Sequence, residues 1–433
     1  MNLLVTNTRN PEAYAIIRAL RPYANRIAVT LDGKSRLAAR LSHAANSRLV
    51  DKRYYVPSPV EDWRAGKIQK ENTEREETYI QAVERICEQE NIDAIFPSFD
   101  PHVYVFSKNK ERFERLGILI PVLNYEAVAT PLDKYRTIQT AKETGFPCPK
   151  TFLPQSDEDV RRIASDLGFP LVIKHRFPAP GPDVQLVKNL AELEKAYRRA
   201  KLRESPMLQE FIPGGVVDNF AIALDRTGEV KMLFCRKTLC HLGRFCQIFA
   251  VDSPVSHSYA KDAARLIQKL GWWGSVTVQT RIDSRDNTAK LMGINPRIGA
   301  GLWHRIQAGI NEPLMLLKIA RGEEVEPVQK YPVGMTFADP AEDMVKLGLA
   351  LTDLLIYRFR IGFLGKDPID RSNPAMTLRG LIRSARQAYF SGANRSPNLY
   401  TKYFLQDPLV SIIWWLQYIS RWWIQIDPKD LGR

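Results

Sequence analysis

The chain has 433 residues, room for two or three compact units with cores of their own. Its hydrophobic and charged fractions, 45% and 25%, are those of a globular chain and exclude disordered, collagen-like and low-complexity classes. A formal charge of +14 admits nucleic acid, a membrane surface or a phosphate-rich ligand as partner. The lysines and arginines are spread along the chain, with no basic arm and no basic face interleaved with aromatics, so no nucleic-acid partner is expected.

Five cysteines (Cys87, Cys148, Cys235, Cys240, Cys246) make an odd number with no C-x-x-C pair. With no secretory signal at the start, they favour a reducing, cytoplasmic location. The spacings of Cys235, Cys240, His241 and Cys246 do not match a structural zinc pattern, so no zinc is expected there.

Residues 1–125 alternate strand and helix. Leu3–Thr6 is a short apolar strand, Pro11–Leu20 has helical periodicity, and Arg26–Leu31 is a second strand. Glu76–Gln89 is an amphipathic helix and Ala94–Pro97 a buried strand closed by proline. Such alternation predicts a parallel sheet with helices on both faces, an α/β domain. The first strand-to-helix turn, Thr6-Asn7-Thr8-Arg9-Asn10-Pro11, lacks G-x-G-x-x-G and with it the dinucleotide fingerprint.

Residues 126–330 read as a distinct α+β unit. Leu132–Gly145 is a predicted helix; Ser156 caps the next one, with Asp159 three residues on. Gly168-Phe169-Pro170 turns into the apolar strand Leu171-Val172-Ile173-Lys174. From Leu208 to Arg297 strands predominate, broken by a helix at Ser258–Lys269; Trp272 and Trp273 are expected in the core. Residues 331–433 form a mainly helical extension, with helices at Val345–Tyr357 and Thr377–Tyr389 and an aromatic tail.

Three islands in the second unit suit phosphoryl chemistry, which needs positive charge on phosphates, a bridging metal and positioning. Lys134 opens a helix and Lys174 closes a buried strand, a place where a lysine is unusual. Met207–Gly215 is an apolar strand running into a proline-glycine turn, whose backbone near Glu210–Ile212 suits an adenine edge, with Asp218 in reach of a ribose. Gln279 and Asn295, on two neighbouring predicted strands, are oxygen donors a hard cation accepts; Arg297 offers a bidentate fork.

In order and spacing, the segments DKY, PLVIK, LQEFIPGG, GWWGSVTVQ and INPRIGAG resemble the ATP-grasp superfamily, in particular its carbamoyl-phosphate-synthetase-like members. The resemblance implies a pre-ATP-grasp α/β domain at 1–125 and a two-lobed ATP-grasp clamp at 126–330. It further implies that Lys134 and Lys174 hold the phosphates of ATP, Glu210, Phe211 and Ile212 line the adenine, and Asp218 holds the ribose. Gln279 and Asn295 would hold Mg²⁺, and Arg297 would be the catalytic group on the transferred phosphoryl or the substrate. The implied reaction activates a small-molecule carboxylate as an acyl phosphate, which an amine or similar nucleophile then attacks, releasing phosphate.

Two features depart from the family pattern. The usual glutamate two residues before the asparagine of the N-P-R segment is here Gly293, and the loop 177–182 carries three prolines where relatives have a glycine-rich cover. Gly293 motivates the alternative of a nucleotide-binding pseudoenzyme. At the C-terminus, residues 408–426 form an amphipathic helix by sequence, with Ile412, Trp415, Leu416, Ile419, Trp422, Trp423 and Ile426 on one face. Ser411, Gln417, Arg421 and Gln425 lie on the other half, together with Trp414 and Tyr418. Its apolar face calls for burial, on the protein's own surface, on a partner or at a lipid interface, and its tryptophans predict reversible contact with an anionic membrane at the inner face.

Overall fold

The computed structural model describes residues 1–32, 42–59, 73–177, 184–201, 206–214, 217–242, 246–257, 259–299, 301–338, 394–397 and 399–425, with isolated positions between 341 and 393. The helices expected at Val345–Tyr357 and Thr377–Tyr389 and the proline-rich part of the loop after Lys174 lie outside the described residues.

The N-terminal unit is a parallel sheet of order β3-β2-β1-β4, built from β1 (Asn2–Thr6), β2 (Arg26–Asp32), β3 (Lys52–Val56) and β4 (Ala94–Pro97). Leu3, Leu4 and Val5 are fully buried, as expected for a central strand covered on both faces. Helix α1 (Pro11–Leu20) packs Ile16 and Ile17 against Leu3, Val5, Ile27 and Val29. On the opposite face, α2 (Thr73–Glu90) and α3 (Asp100–Lys108) bring Tyr79, Ile80, Val83, Val103 and Phe106 onto Leu4, Ala28 and Ile95. A short helix, α4 (Lys110–Glu114), follows.

The helix expected over Leu132–Gly145 forms as α6 (Lys134–Glu143), and a separate helix, α5 (Tyr125–Leu132), precedes it. Asp133 separates them in extended backbone, and its carboxylate accepts from the amides of Tyr135 and Arg136. A capping carboxylate satisfies amide donors that the first turn leaves open, so α6 starts at Lys134.

A small lobe follows. Its antiparallel sheet, order β5-β8-β6-β7, joins β5 (Thr151–Phe152), β6 (Leu171–Lys174), β7 (Val184–Val187) and β8 (Met207–Glu210). Helices α7 (Asp157–Leu167) and α8 (Leu190–Lys201) cover it around a core of Val160, Ile163, Leu171, Ile173, Leu193 and Leu208. The Ser156 cap forms as expected, its hydroxyl accepting from the Asp159 amide at 3.1 Å.

The large lobe is a five-stranded antiparallel sheet of order β11-β10-β9-β12-β13: Cys246–Asp252, Val230–Leu242, Val217–Leu224, Gly274–Ile282 and Ala289–Asn295. One face carries Phe220, Ile222, Cys235, Val276, Val278 and Ile294 against α9 (Ala260–Lys269) and the buried Trp272. The other face, with Ala221, Ala223, Met232, Phe234 and Val251, joins the core that includes α1, α10 (Leu302–Gln307) and α11 (Glu312–Arg321). Cys235 is thus a buried core thiol, while the side chains of Cys240, His241 and Cys246 are outside the described residues.

In the extension, β14 (Met335–Ala338) pairs in parallel with β15 (Asn394–Pro397), and α12 (Leu399–Lys402) leads to α13 (Pro408–Gln425). The start of α13 is docked on the N-terminal unit, and by a different face from the one the helical wheel selects. Val410, Ser411, Ile413 and Trp414 are buried, whereas Leu409, Ile412 and Leu416 are exposed. The reason is local: Trp414 stacks on Tyr400 at 4.5 Å, and the Ser411 hydroxyl donates to the Tyr400 carbonyl. Among the described residues no helix is long and apolar enough to cross a membrane.

Candidate nucleotide and acceptor site

The phosphate side is built by α6 meeting β6. The Lys134 amide donates to the Arg176 carbonyl, and its Nζ donates to the carbonyls of His175 and Phe177 at 3.2 and 3.3 Å. Arg176 in turn clamps Asp133 at 2.6 Å, locking the start of α6 to the end of β6. Lys174 lies within this junction, 5% exposed. Burial, and next the neighbouring charge of Lys134, push its pKa down to about 7. Desolvation disfavours the ammonium and a like charge adds to it, so the structure joins the two predicted lysines in one electropositive place.

At the hinge, Glu210 does not offer its side chain to a ligand. Its carboxylate accepts from Arg285 at 2.6 Å and from the Lys150 amide at 3.1 Å. Its amide donates to the Lys150 carbonyl at 2.9 Å, so its carbonyl and the backbone of Phe211 and the buried Ile212 are what remain for an adenine edge. The segment is tied to the large lobe, since the Ser284 amide donates to the Pro213 carbonyl and Arg281 donates to that of Gly214. Asp218 stands in β9 opposite Thr280 and Lys237; its side chain is outside the described residues.

The metal side is a matter of register. Gln279 in β12 stands directly opposite Gly293 in β13, and Asn295 pairs with Thr277, two residues before Gln279. Side chains alternate along a strand, so Gln279, Gly293 and Asn295 share one face. The expected pair of oxygen donors is brought together, but the row contains no carboxylate. A Cβ at Gly293 would meet nothing within 4 Å, so space for a side chain exists there. Both remaining donors are neutral amides, which fits a Mg²⁺ held mainly by the phosphates of its nucleotide and only steadied by the protein.

Arg297 is turned toward the N-terminal unit. Its fork donates to the two Asp100 oxygens at 2.6 and 3.2 Å, and Nη1 donates to the Ile298 carbonyl. Any contact with a transferred phosphoryl group therefore competes with Asp100. Neither Asp100 nor its place at the start of α3 is signalled near the N-P-R segment, because 197 residues separate the partners.

The same sheet face carries a residue that the sequence pattern did not single out. Arg236 in β10 is opposite Asn219 in β9, which is opposite Gln279 in β12. Arg236, Asn219, Gln279 and Gly293 thus form one rung across four strands. Arg236 is 8% exposed, and burial, followed by the neighbouring Arg305, lowers its pKa. Its Nη1 lies 3.1 Å from His304 Nδ1. Around it are Arg305, ion-paired with Glu312, and Glu12 of α1, a buried carboxyl whose pKa is raised by desolvation against the pull of Arg297, Arg305 and Arg236. The signal was alternation: Met232 and Phe234 face the core, and Arg236 continues their face. The glycine-rich exit after Arg297 has its explanation here. Gly301 sits at φ +94, and a Cβ there would collide with the Arg236 guanidinium; one at Gly299 would strike Thr277.

Residues 250–339 match the family profile "ATP-grasp in the biosynthetic pathway with Ter operon", and residues 72–122 match "PylC-like, N-terminal domain". The carbamoyl phosphate synthase large chain of Pyrococcus furiosus is 20% identical over 351 residues, covering 76% of this chain and 33% of its own length. The chain therefore spans about a third of that relative. The biotin carboxylase domain of Hydrogenobacter thermophilus 2-oxoglutarate carboxylase, solved with MgADP, ADP and bicarbonate, superposes with a TM-score of 0.60 at 18% identity, over 76% of this chain and 70% of that one. The L-amino acid ligase of Bacillus licheniformis gives 0.55 at 18%, over 74% of each. At such identities the structural likeness establishes the fold. The profile matches and the sequence relationship give the chain an ATP-grasp domain and homology to carbamoyl phosphate synthase large chains.

Proposed function

We propose that the chain is an ATP-dependent ligase that activates a carboxylate as an acyl phosphate for attack by an amine or similar nucleophile. The observation that carries this reading is the buried Lys174 beside Lys134 at the α6–β6 junction. A desolvated ammonium beside a second one is poorly placed for structure alone and well placed for a triphosphate, where each charge-assisted contact gains strength. In the proposed arrangement both lysines hold phosphates, the backbone at Glu210, Phe211 and Ile212 meets the adenine, and Asp218 meets the ribose. Gln279 and Asn295 steady a nucleotide-bound Mg²⁺, which would supply charge neutralisation on the phosphates. Arg297 orients the acceptor or the moving phosphoryl group when Asp100 yields it. The relatives named above include proteins solved with MgADP and bicarbonate or named for amino acid ligation, which supports a small carboxylate as acceptor. Release of ADP and phosphate by the purified protein, with Mg²⁺ and pools of carboxylates and amines, tests the reading; no release with any pool, alongside intact ATP binding, favours the second one.

That second reading is a nucleotide-binding pseudoenzyme, favoured by the carboxylate-free row Gln279–Gly293. We further propose that the exposed stripe Leu409, Ile412 and Leu416 of α13 contacts an anionic membrane from the cytoplasmic side. Co-sedimentation with anionic vesicles checks this: Leu416→Glu is expected to reduce binding several-fold without changing Tm, and equal sedimentation of both proteins would overturn it.

A further inference from the structure

We propose that Arg236 anchors a second anionic group of the acceptor, so that the substrate is a dianionic carboxylate, such as a dicarboxylate or a carboxylate that also bears phosphate. The inference rests on the ligase reading and deepens it by naming the substrate class.

The rung geometry comes first. Arg236 and Gln279 lie on the same face of the large sheet, in direct register through Asn219. Adjacent strands are about 4.8 Å apart, so the two backbone positions are separated by about 10 Å. A carboxylate reacting with the γ-phosphate has to lie near the metal side, at Gln279 and Asn295. A guanidinium two strands away serves a different group of the same molecule. Asn219, 4% exposed and directly between them, offers an amide that can both donate to and accept from the linking portion.

The second observation is how the fold treats this arginine. It is carried into a largely apolar face, following Met232 and Phe234, where lysine or arginine is rare. Gly301 in left-handed backbone leaves the guanidinium its space, and His304 lies against Nη1. Such constraints fix the direction of a planar fork, and a fixed fork recognises a carboxylate or phosphate bidentately. The third observation is the convergence of elements. Glu12 comes from α1, Arg297 and Asp100 tie the sheet exit to α3, and Arg305 with Glu312 comes from α10 and α11. Arg297 pairs with Asp100 and Arg305 with Glu312, and Arg236 lies in the same neighbourhood with its Nη1 3.1 Å from His304 Nδ1.

The test is calorimetric titration of the full-length protein with butyrate and with succinate, which match in chain length and differ by one carboxylate. Titrations are run with and without saturating MgADP. Succinate is expected to bind roughly tenfold or more tightly than butyrate. Arg236→Met should abolish that preference and Arg236→Lys should keep part of it. Arg265→Met, on the helix behind the opposite face of the sheet, should leave it unchanged. Hydrogen exchange on the unmodified protein adds a measurement that needs no variant: succinate should slow exchange over residues 230–238 and 301–307. Equal affinities for the two acids, a preference that survives in folded Arg236→Met, or no protection in those segments would each overturn the proposal. Failure to bind ADP would count against the ligase reading, whereas ADP binding without a dicarboxylate preference counts against this inference alone.

Discussion

The two sides of the candidate site are built on opposite principles. On the small-lobe side, cationic side chains are buried and pressed together, with Lys174 5% exposed beside Lys134. On the large-sheet side the row Gln279, Gly293, Asn295 is neutral and partly open, and the charge lies further along the rung at Arg236. Nucleotide affinity should therefore be concentrated in the lysines, and the large sheet should govern metal use and acceptor choice. The contrast also separates two fates of a ligand site. On the proposed reading, losing Lys174 would remove one of two charges from a desolvated place, whereas position 293 is open space in which a missing carboxylate could be replaced by water or phosphate oxygens.

The largest expected effect is Lys174→Ala, which should weaken ATP binding roughly ten- to hundredfold, in line with about 1.5–3 kcal/mol for a charge-assisted contact. Gln279→Ala should change it by less than about threefold, since a neutral ligand to an already phosphate-bound ion contributes little. Calorimetry on the two variants checks both, and equal losses would erase the contrast.

Next comes the pH dependence of the same lysine. The folded pKa of Lys174 is about 7, below its ordinary value of 10.5. Between those values the unfolded chain binds the proton and the folded chain does not, so stability rises with pH across that window. Below pH 7 both states are protonated, the slope vanishes, and the protein keeps the full cost of the buried charge. ATP reverses the preference by favouring the ammonium. At pH 8 to 9, ATP binding is expected to take up close to one proton, read from the dependence of calorimetric heat on buffer ionisation enthalpy. Lys174→Met should remove both the uptake and the slope, and uptake unchanged in that variant would assign the proton elsewhere.

Much of this was legible in the sequence because it depends on short-range pattern. Strand Leu171–Lys174, the Ser156 cap and α1 follow from periodicity and capping chemistry, and Lys174 stood out by closing an apolar run. Residues brought in from far along the chain were not legible. Asp100 reaches Arg297 across 197 positions, and Glu12 meets Arg236 and Arg305 only after α1 packs on the sheet. The tail shows a different limit. A helical wheel ranks faces by apolar content, but Trp414 and Ser411 face the protein because Tyr400 offers them a ring and a carbonyl.

A smaller effect is expected from Gly293→Glu. The position is open, since a Cβ there would meet nothing within 4 Å, and it stands opposite Gln279. A carboxylate there should tighten Mg²⁺ in the ternary complex several-fold and raise any ATP turnover, while metal-free ATP binding stays the same or weakens slightly. Mg²⁺ titrations at fixed ATP distinguish the outcomes. If neither metal affinity nor turnover rises in a folded variant, this row is not where the ion sits, and the neutral character of the large sheet has no bearing on metal use.

The smallest effect on the nucleotide should come from the tail, although it disturbs the protein's stability. Asp407, 2% exposed, accepts from Tyr14, Ser47 and the Arg48 amide at 2.9, 2.7 and 2.7 Å and pairs with Arg18 at 3.1 Å. Tyr14 and Arg18 belong to α1, the helix that also carries Glu12 into the neighbourhood of Arg236 and Arg297. Asp407→Ala leaves Arg18 without its carboxylate and three donors without their acceptor, and breaking a buried pair of this kind costs about 3–5 kcal/mol. Tm should therefore fall by several degrees or more. The disturbance enters through α1, which touches the acceptor side of the large sheet and does not contribute to the α6–β6 junction. ATP affinity should accordingly stay within about twofold of the unmodified protein, while any carboxylate selectivity held by the Arg236 neighbourhood weakens, because a loosened α1 no longer fixes Glu12. A Tm drop with unchanged ATP affinity would place the two sides of the site in separately supported parts of the fold. A parallel loss of ATP affinity would mean that α1 supports the lysines as well, and the division between the two sides would fail.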